Sequence, residues 1–107
     1  MFAEFNTNKG VIVVKLHDAL VPKTVANFVD LAEGKKTGKP FYDGLTWHRV
    51  VTAFVVQGGD PRGSGWGDAG WRLADEVNRT PFLRGTVGMP KAGKDTGGCQ
   101  LFVSLVA

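Results

Sequence analysis

The sequence predicts a mostly β chain, an antiparallel barrel with one helix closing an open end. Three observations predict it. Apolar β-type stretches recur along the chain, only one segment has helical periodicity, and glycine supplies 15 of the 107 residues. That share is about twice the ~7% of an average protein. Eleven of these glycines fall between Gly58 and Gly98, so tight turns and loops dominate the second half. A chain of this length forms one domain with a modest core, here residues 1–107.

Taken in order, residues 3–6 and 11–17 read as a hairpin joined through Thr7-Asn8-Lys9-Gly10. Pro22 suits the first turn of a helix, where its missing N–H costs nothing. Val25, Phe28, Val29 and Ala32 follow at i, i+3, i+4 and i+7 and give that helix one apolar face. Gly34 stands where a left-handed C-cap belongs. Strands follow near 45–51 and 54–57, then a glycine-rich loop over 58–71, then short strands near 86–89 and 101–105. Thr52-Ala53 is short enough to fold its flanking strands into a hairpin. Side-chain alternation then puts Arg49 on one face with Trp47 and Val51, and Gln57 on one face with Val55. His48 alternates away from Arg49 and reads as a packed or hydrogen-bonded histidine.

Several function classes drop out. Thirteen basic and ten acidic side chains leave a net charge of only +3. Lys35, Lys36 and Lys39 form a short cluster of the solvated-loop kind, and the three tryptophans are not interleaved with basic residues. Nucleic-acid binding would need a basic stripe with exposed stacking aromatics. One cysteine excludes an internal disulfide and fits a reducing compartment. Met1-Phe2-Ala3-Glu4 lacks the basic start and apolar core of a signal peptide, and no apolar run approaches a membrane span. A cytoplasmic protein without membrane contact is the expectation. Two distant histidines and no clustered carboxylates argue against a metal. The G-x-G-x-x-G match at Gly65 to Gly70 has no helix after it and reads as a turn. Ser64 and Ser104 lack a nucleophile elbow and Cys99 has no obvious base partner, which disfavours a covalent hydrolase.

On spacing alone, Arg49 reads as an edge arginine with its stem on apolar surface and its head in water. The wider context changes that reading. FYDGLTWHRVVTAFVVQGGDP, residues 41–61, resembles the signature segment of the cyclophilin family of peptidyl-prolyl isomerases. Asn8-Lys9-Gly10, Val11-Ile12-Val13-Val14 and Val21-Pro22-Lys23-Thr24-Val25-Ala26-Asn27-Phe28 resemble its first strands and helix. Asp75-Glu76, Gly85-Thr86-Val87-Gly88-Met89 and Lys94-Asp95-Thr96-Gly97-Gly98-Cys99-Gln100-Leu101-Phe102 resemble its middle strands and loop.

The resemblance implies a cyclophilin-like antiparallel barrel with a capping helix. It also implies an incomplete one. Residues 100–107 form an apolar β-type run with no turn or cap after it, whereas the family continues with its last strands and a second helix. The family completes its pocket with a tryptophan, a leucine and a histidine beyond the point where this chain ends. The expectation is a fragment of a longer isomerase, weak or inactive alone, whose open edges something must pair or cover.

The activity implied is cis–trans isomerisation of X–Pro bonds in peptides and folding proteins. Rotation about a peptide bond costs ~18–20 kcal/mol because resonance stiffens C–N. Twisting returns the lone pair to the prolyl nitrogen, and a donor aimed there stabilises the twisted state above either planar one. By resemblance Arg49 is that donor, a catalytic residue together with Phe54, Gln57 and Phe102. Phe54 and Val55 match walls of the proline pocket and Phe102 its floor. Gln57 matches a glutamine that bonds substrate backbone and orients the arginine, and Gln100 matches the rim. Pro90 and Lys91 stand where the family has an alanine–asparagine pair whose backbone binds the residue before proline, although Pro90 has no N–H to donate. Cys99 stands where the family commonly has serine. No cofactor or metal is implied. The partners implied are proline-containing peptides, folding chains and cyclosporin-type inhibitors, with the protein acting as a monomer. A non-catalytic proline-peptide binding module is the alternative.

Overall fold

The computed structural model describes residues 1–35, 37–63, 70, 83–90 and 98–106. Strands β1 (Phe2–Thr7) and β2 (Gly10–Lys15) pair antiparallel, with Phe5 opposite Ile12. Only Asn8 and Lys9 lie between them. Thr7 secures this turn: its Oγ1 donates to the Gly10 carbonyl at 2.6 Å and accepts the Lys9 N–H at 3.2 Å.

Helix α1 (Pro22–Glu33) starts with proline in its first turn, as the sequence predicts. It ends at Gly34 in the left-handed conformation, φ 79°. The Gly34 N–H donates to the Leu31 carbonyl and the Lys35 N–H to the Asp30 carbonyl, which completes a Schellman cap. The buried face is rotated from the predicted one. Val25, Asn27 and Leu31 are buried, with Leu31 wholly so, while Phe28, Val29 and Ala32 are half-buried. Leu31 goes under because the chain returns over the helix end, where the Phe41 N–H also donates to the Leu31 carbonyl at 2.9 Å. Asn27 is buried because its amide donates to the Gly98 carbonyl at 3.1 Å, satisfying a polar group that would otherwise be costly to desolvate.

Four further strands make a second sheet in the order β3-β4-β6-β5: β3 (Arg49–Val51), β4 (Val55–Gly58), β5 (Val87–Gly88) and β6 (Leu101–Ser104). All its pairings are antiparallel. Among the described residues the chain is therefore mostly strands with a single α-helix, in two sheets. A column of rings stands between them. Trp47 stacks on Phe5, Phe5 on Phe28 and Phe28 on Tyr42, with centroids 5.2–6.1 Å apart, and Phe41 meets Tyr42 edge-on. Trp47 thus lies with the core and not on the Arg49 face. It precedes the β3 ladder, so strand alternation does not govern it, and its ring covers Gly58.

Tyr42 ends the column and ties it to the approach to β6, donating its hydroxyl to the Cys99 carbonyl at 2.8 Å. Gly59 (φ 84°) lets the backbone pass here, because a Cβ would sit 2.7 Å from that same carbonyl oxygen. Burial pushes the Tyr42 phenol well above the ordinary tyrosine range, with a smaller push from neighbouring Cys99. The folded chain therefore keeps this proton where an unfolded one loses it. Stability is whole below pH about 10 and falls as pH rises beyond that. Tyr42 is the one tyrosine in the sequence, so absorbance titration reads it alone. Tyrosinate is expected only together with unfolding, and ionisation near pH about 10 in a chain that stays folded would contradict this burial. Tyr42→Phe is expected to remove the alkaline loss while costing about 0.5–1.5 kcal/mol at neutral pH.

Candidate functional site

Register builds the site. Arg49 stands opposite Gln57, Gln57 opposite Phe102, and Phe102 opposite Gly88, so three candidate side chains form one row across β3, β4 and β6. The next row on that face holds Val51, Val55 and Ser104. The opposite face carries Val50, Val56, Val103 and Val87 in register. Side chains directly across an antiparallel pair lie close enough to touch. A hairpin and one long-range strand pairing therefore suffice to assemble the row.

The turn from β3 to β4 spans residues 52–54, one more than the two-residue connection expected. It closes with the Phe54 N–H donating to the Val51 carbonyl at 3.0 Å. Phe54 is thus a turn residue and not the first of a strand. Its carbonyl accepts the Leu105 N–H at 2.8 Å, so β6's continuation holds the turn in place. Ala53 takes a left-handed conformation, φ 59°, at the third position of the Val51–Phe54 turn, where a type II turn needs positive φ and glycine fits most easily.

These elements surround an open groove of about 350 Å³. Phe54, Val55, Phe102, Pro90 and Val106 give it an apolar lining, and Arg49, Gln57 and Ser104 supply its polar groups. Val55 is buried and Phe54 is 49% exposed, as a wall and an overhanging rim would be. Arg49 is held from two sides. Its Nη1 donates to Gln57 Oε1 at 3.3 Å, and its Cζ lies 5.8 Å from the centre of the Phe54 ring, within cation–π range. Among the described residues it makes no ion pair with a carboxylate. One of its five donors goes to Gln57, so a rigid cationic fork faces an apolar groove.

Seven of the eight expected site residues can be placed. Arg49, Phe54, Val55, Gln57, Phe102 and Pro90 all line the groove. Gln100, expected at the rim, does not line it. Gln100 lies behind Gln57, whose Nε2 donates to Gln100 Oε1 at 2.9 Å. Lys91 falls outside the described residues, as do Asp75-Glu76, Trp66, Trp71 and most of the G-x-G-x-x-G segment. Ser104 and Val106 line the groove without having been foreseen. Ser104 follows from Phe102 by the two-residue step of a strand, which is the signal that could have found it, whereas Val106 lies beyond β6 where no such step applies. Ser104 Oγ donates to the Val106 carbonyl at 2.6 Å and fixes that end of the lining. His48 is packed and not hydrogen-bonded: among the described residues neither ring nitrogen has a partner. Cys99 is buried, 1% exposed. No group of three metal-ligating side chains and no helix long and apolar enough to cross a membrane occurs among the described residues.

The chain is similar to known proteins in both sequence and fold. The family model for cyclophilin type peptidyl-prolyl cis-trans isomerase/CLD matches residues 2–107. A peptidyl-prolyl cis-trans isomerase of Synechococcus elongatus is 46% identical over 101 residues, covering 94% of this chain and 66% of its own length. One from Helicobacter pylori is 44% identical over 107 residues, covering 98% and 63%. Among solved structures, a cyclophilin type peptidyl-prolyl cis-trans isomerase of Cryptosporidium parvum, in the presence of the dipeptide Ala-Pro, superposes with a TM-score of 0.88 at 27% identity. That match covers 99% of this chain and 68% of the other. The chain belongs to the cyclophilin-type peptidyl-prolyl cis-trans isomerase family. It spans just under two thirds of the length of these curated relatives.

The turn at Ala53 offers a check on the hairpin that carries the site. A non-glycine residue in the left-handed region costs roughly 1–2 kcal/mol, against roughly 0.5–1 kcal/mol of added chain entropy for glycine. Ala53→Gly is therefore expected to add up to about 1.5 kcal/mol of stability, read as a higher urea midpoint, and Ala53→Val to lower that midpoint. A loss on Ala53→Gly would show that the turn is not built this way.

Proposed function

We propose that the chain catalyses cis–trans isomerisation of X–Pro peptide bonds through a non-covalent mechanism. The observation that carries this reading is the Arg49 guanidinium, held by Gln57 and Phe54 over an apolar groove floored by Phe102. A pyrrolidine ring is apolar, compact and rigid, and it fits a groove walled by Phe54 and Val55. Gripping the ring leaves the carbonyl side free to rotate. As the bond twists, resonance is lost and the prolyl nitrogen gains a lone pair. An arginine N–H donates to that nitrogen, and its hold by Gln57 and Phe54 fixes it before the bond twists. Planar substrate offers no such lone pair, so the interaction favours the twisted state selectively.

The remaining groups bind and orient. Gln57 fixes the guanidinium and is placed to meet substrate backbone. Pro90 walls the side where the residue before proline lies, with Lys91 following it in sequence. The relatives named as peptidyl-prolyl isomerases support this activity, and the Cryptosporidium structure supports an Ala-Pro unit as the minimal occupant. We place the substrates among unfolded and folding chains in the cytoplasm, where the single cysteine, buried at position 99, would stay reduced.

Exchange NMR on an Ala-Pro peptide tests the reading. Spanning under two thirds of its relatives' length, the chain is expected to speed cis–trans exchange weakly, and Arg49→Ala to remove most of that acceleration with peptide affinity largely kept. Arg49→Lys should restore little, because an ammonium lacks the planar fork. Rate and affinity falling together would make Arg49 an anchor in a proline-peptide binding module. No acceleration by the unaltered chain would remove the catalytic reading.

A further inference from the structure

The hydrogen bonds at the groove form a directed chain that continues past the residues in contact with it. Arg49 offers only donors, so the Gln57 atom facing it has to be Oε1. Gln57 Nε2 then points the other way and meets Gln100 Oε1 at 2.9 Å. Gln100 precedes β6 and sits two residues before Phe102, the strand partner of Gln57, so it meets Gln57 diagonally on the same face. Gln57 itself is 9% exposed and has little water to fall back on.

We propose that Gln100 is a positioning residue for isomerisation, acting through Gln57 to lock the side-chain amide whose oxygen holds Arg49. This rests on the functional reading above. A buried amide N–H without an acceptor is costly, and the side chain can recover a partner only by rotating. Rotation of Gln57 would take Oε1 from the guanidinium and put an NH2 group against other donors. The acceptor on Gln100 removes that freedom. Arg49 is then held in one orientation before substrate arrives, which is where a catalytic donor gains most. Gln100 does this without bordering the groove, so its removal should act on rate and not on peptide grip.

The test is a variant cycle with two readouts. Gln100→Met keeps the length of the side chain but removes the acceptor, whereas Gln100→Glu keeps an acceptor. In Gln57→Glu both distal atoms are acceptors, so there is no orientation left to lock. Gln100→Met is expected to lower kcat about tenfold with KM little changed, and Gln100→Glu to recover most of that loss. In the Gln57→Glu background Gln100→Met should cost less than about twofold. A loss carried by KM, or an equal loss in both backgrounds, would mean that Gln100 touches the peptide directly and would overturn the proposal.

The second readout needs no substrate. In the unaltered chain the Arg49 guanidinium and Gln57 amide protons should give discrete, slowly exchanging NMR signals. Gln100→Met should broaden or shift both, and Gln100→Glu should preserve the Arg49 signal. Unchanged Arg49 signals in Gln100→Met would sink the relay. A chain that fails to isomerise peptide yet shows the predicted NMR response would keep the relay and discard only the functional reading.

Discussion

Strand β4 is hydrogen-bonded on both sides, and its register against β3 and β6 decides which side chains can meet. With Gln57 opposite both Arg49 and Phe102, a donor, its holder and an apolar floor fall into one row. A shift of β4 by one residue would send Gln57 to the other face, where the valines now stand, and leave Arg49 and Phe102 without it. The two pairings differ in how they are secured. The β3–β4 pairing is local and needs only the short turn at residues 52–54. The β4–β6 pairing joins distant parts of the chain and gains its hold from Asn27 and Tyr42, which donate to the carbonyls of Gly98 and Cys99 just before β6 begins.

The aromatic column links this register to the rest of the molecule. Phe5 on β1, Phe28 on α1 and Tyr42 and Trp47 on the intervening segment stack in sequence. Offset ring pairs add about 0.5–1.5 kcal/mol each beyond the area they bury. The same rings aim the chain: Tyr42 holds the residues leading into the strand that carries Phe102, and Trp47 covers Gly58 on the strand that carries Gln57. Core packing and groove geometry therefore share residues. A change in the column should be felt at the groove through backbone placement, without touching any groove side chain.

How far the sequence could be read depended on whether a feature was local. The helix start at Pro22 and its cap at Gly34 were legible because both are set by backbone preferences of single residues. The hairpin carrying Arg49 and Gln57 was legible from its short connection, but a two-residue turn would set Arg49 opposite Val56, and it is the third turn residue, Phe54, that brings Gln57 opposite Arg49. Phe102 became a groove residue only by resemblance to a family, since nothing local tells a strand which distant strand it will join. Leu31 was missed because its burial comes from the chain returning over the helix end, not from the helix's own stripe. Trp47 was misplaced because alternation was carried beyond the ladder, which begins at Arg49. The Gln57–Gln100 contact lies beyond pattern reading altogether, as it depends on both the β4–β6 register and the polarity of an amide.

The claim at the centre is that one face of the sheet, along the row from Arg49 to Phe102, receives the proline ring. Nuclear Overhauser contacts between a labelled Ala-Pro peptide and the chain measure this most directly. Contacts from the pyrrolidine protons to the Phe102 ring and the Val55 methyls are the predicted result. Contacts to the Val50, Val56 or Val103 methyls on the other face, with none to Phe102, would contradict it.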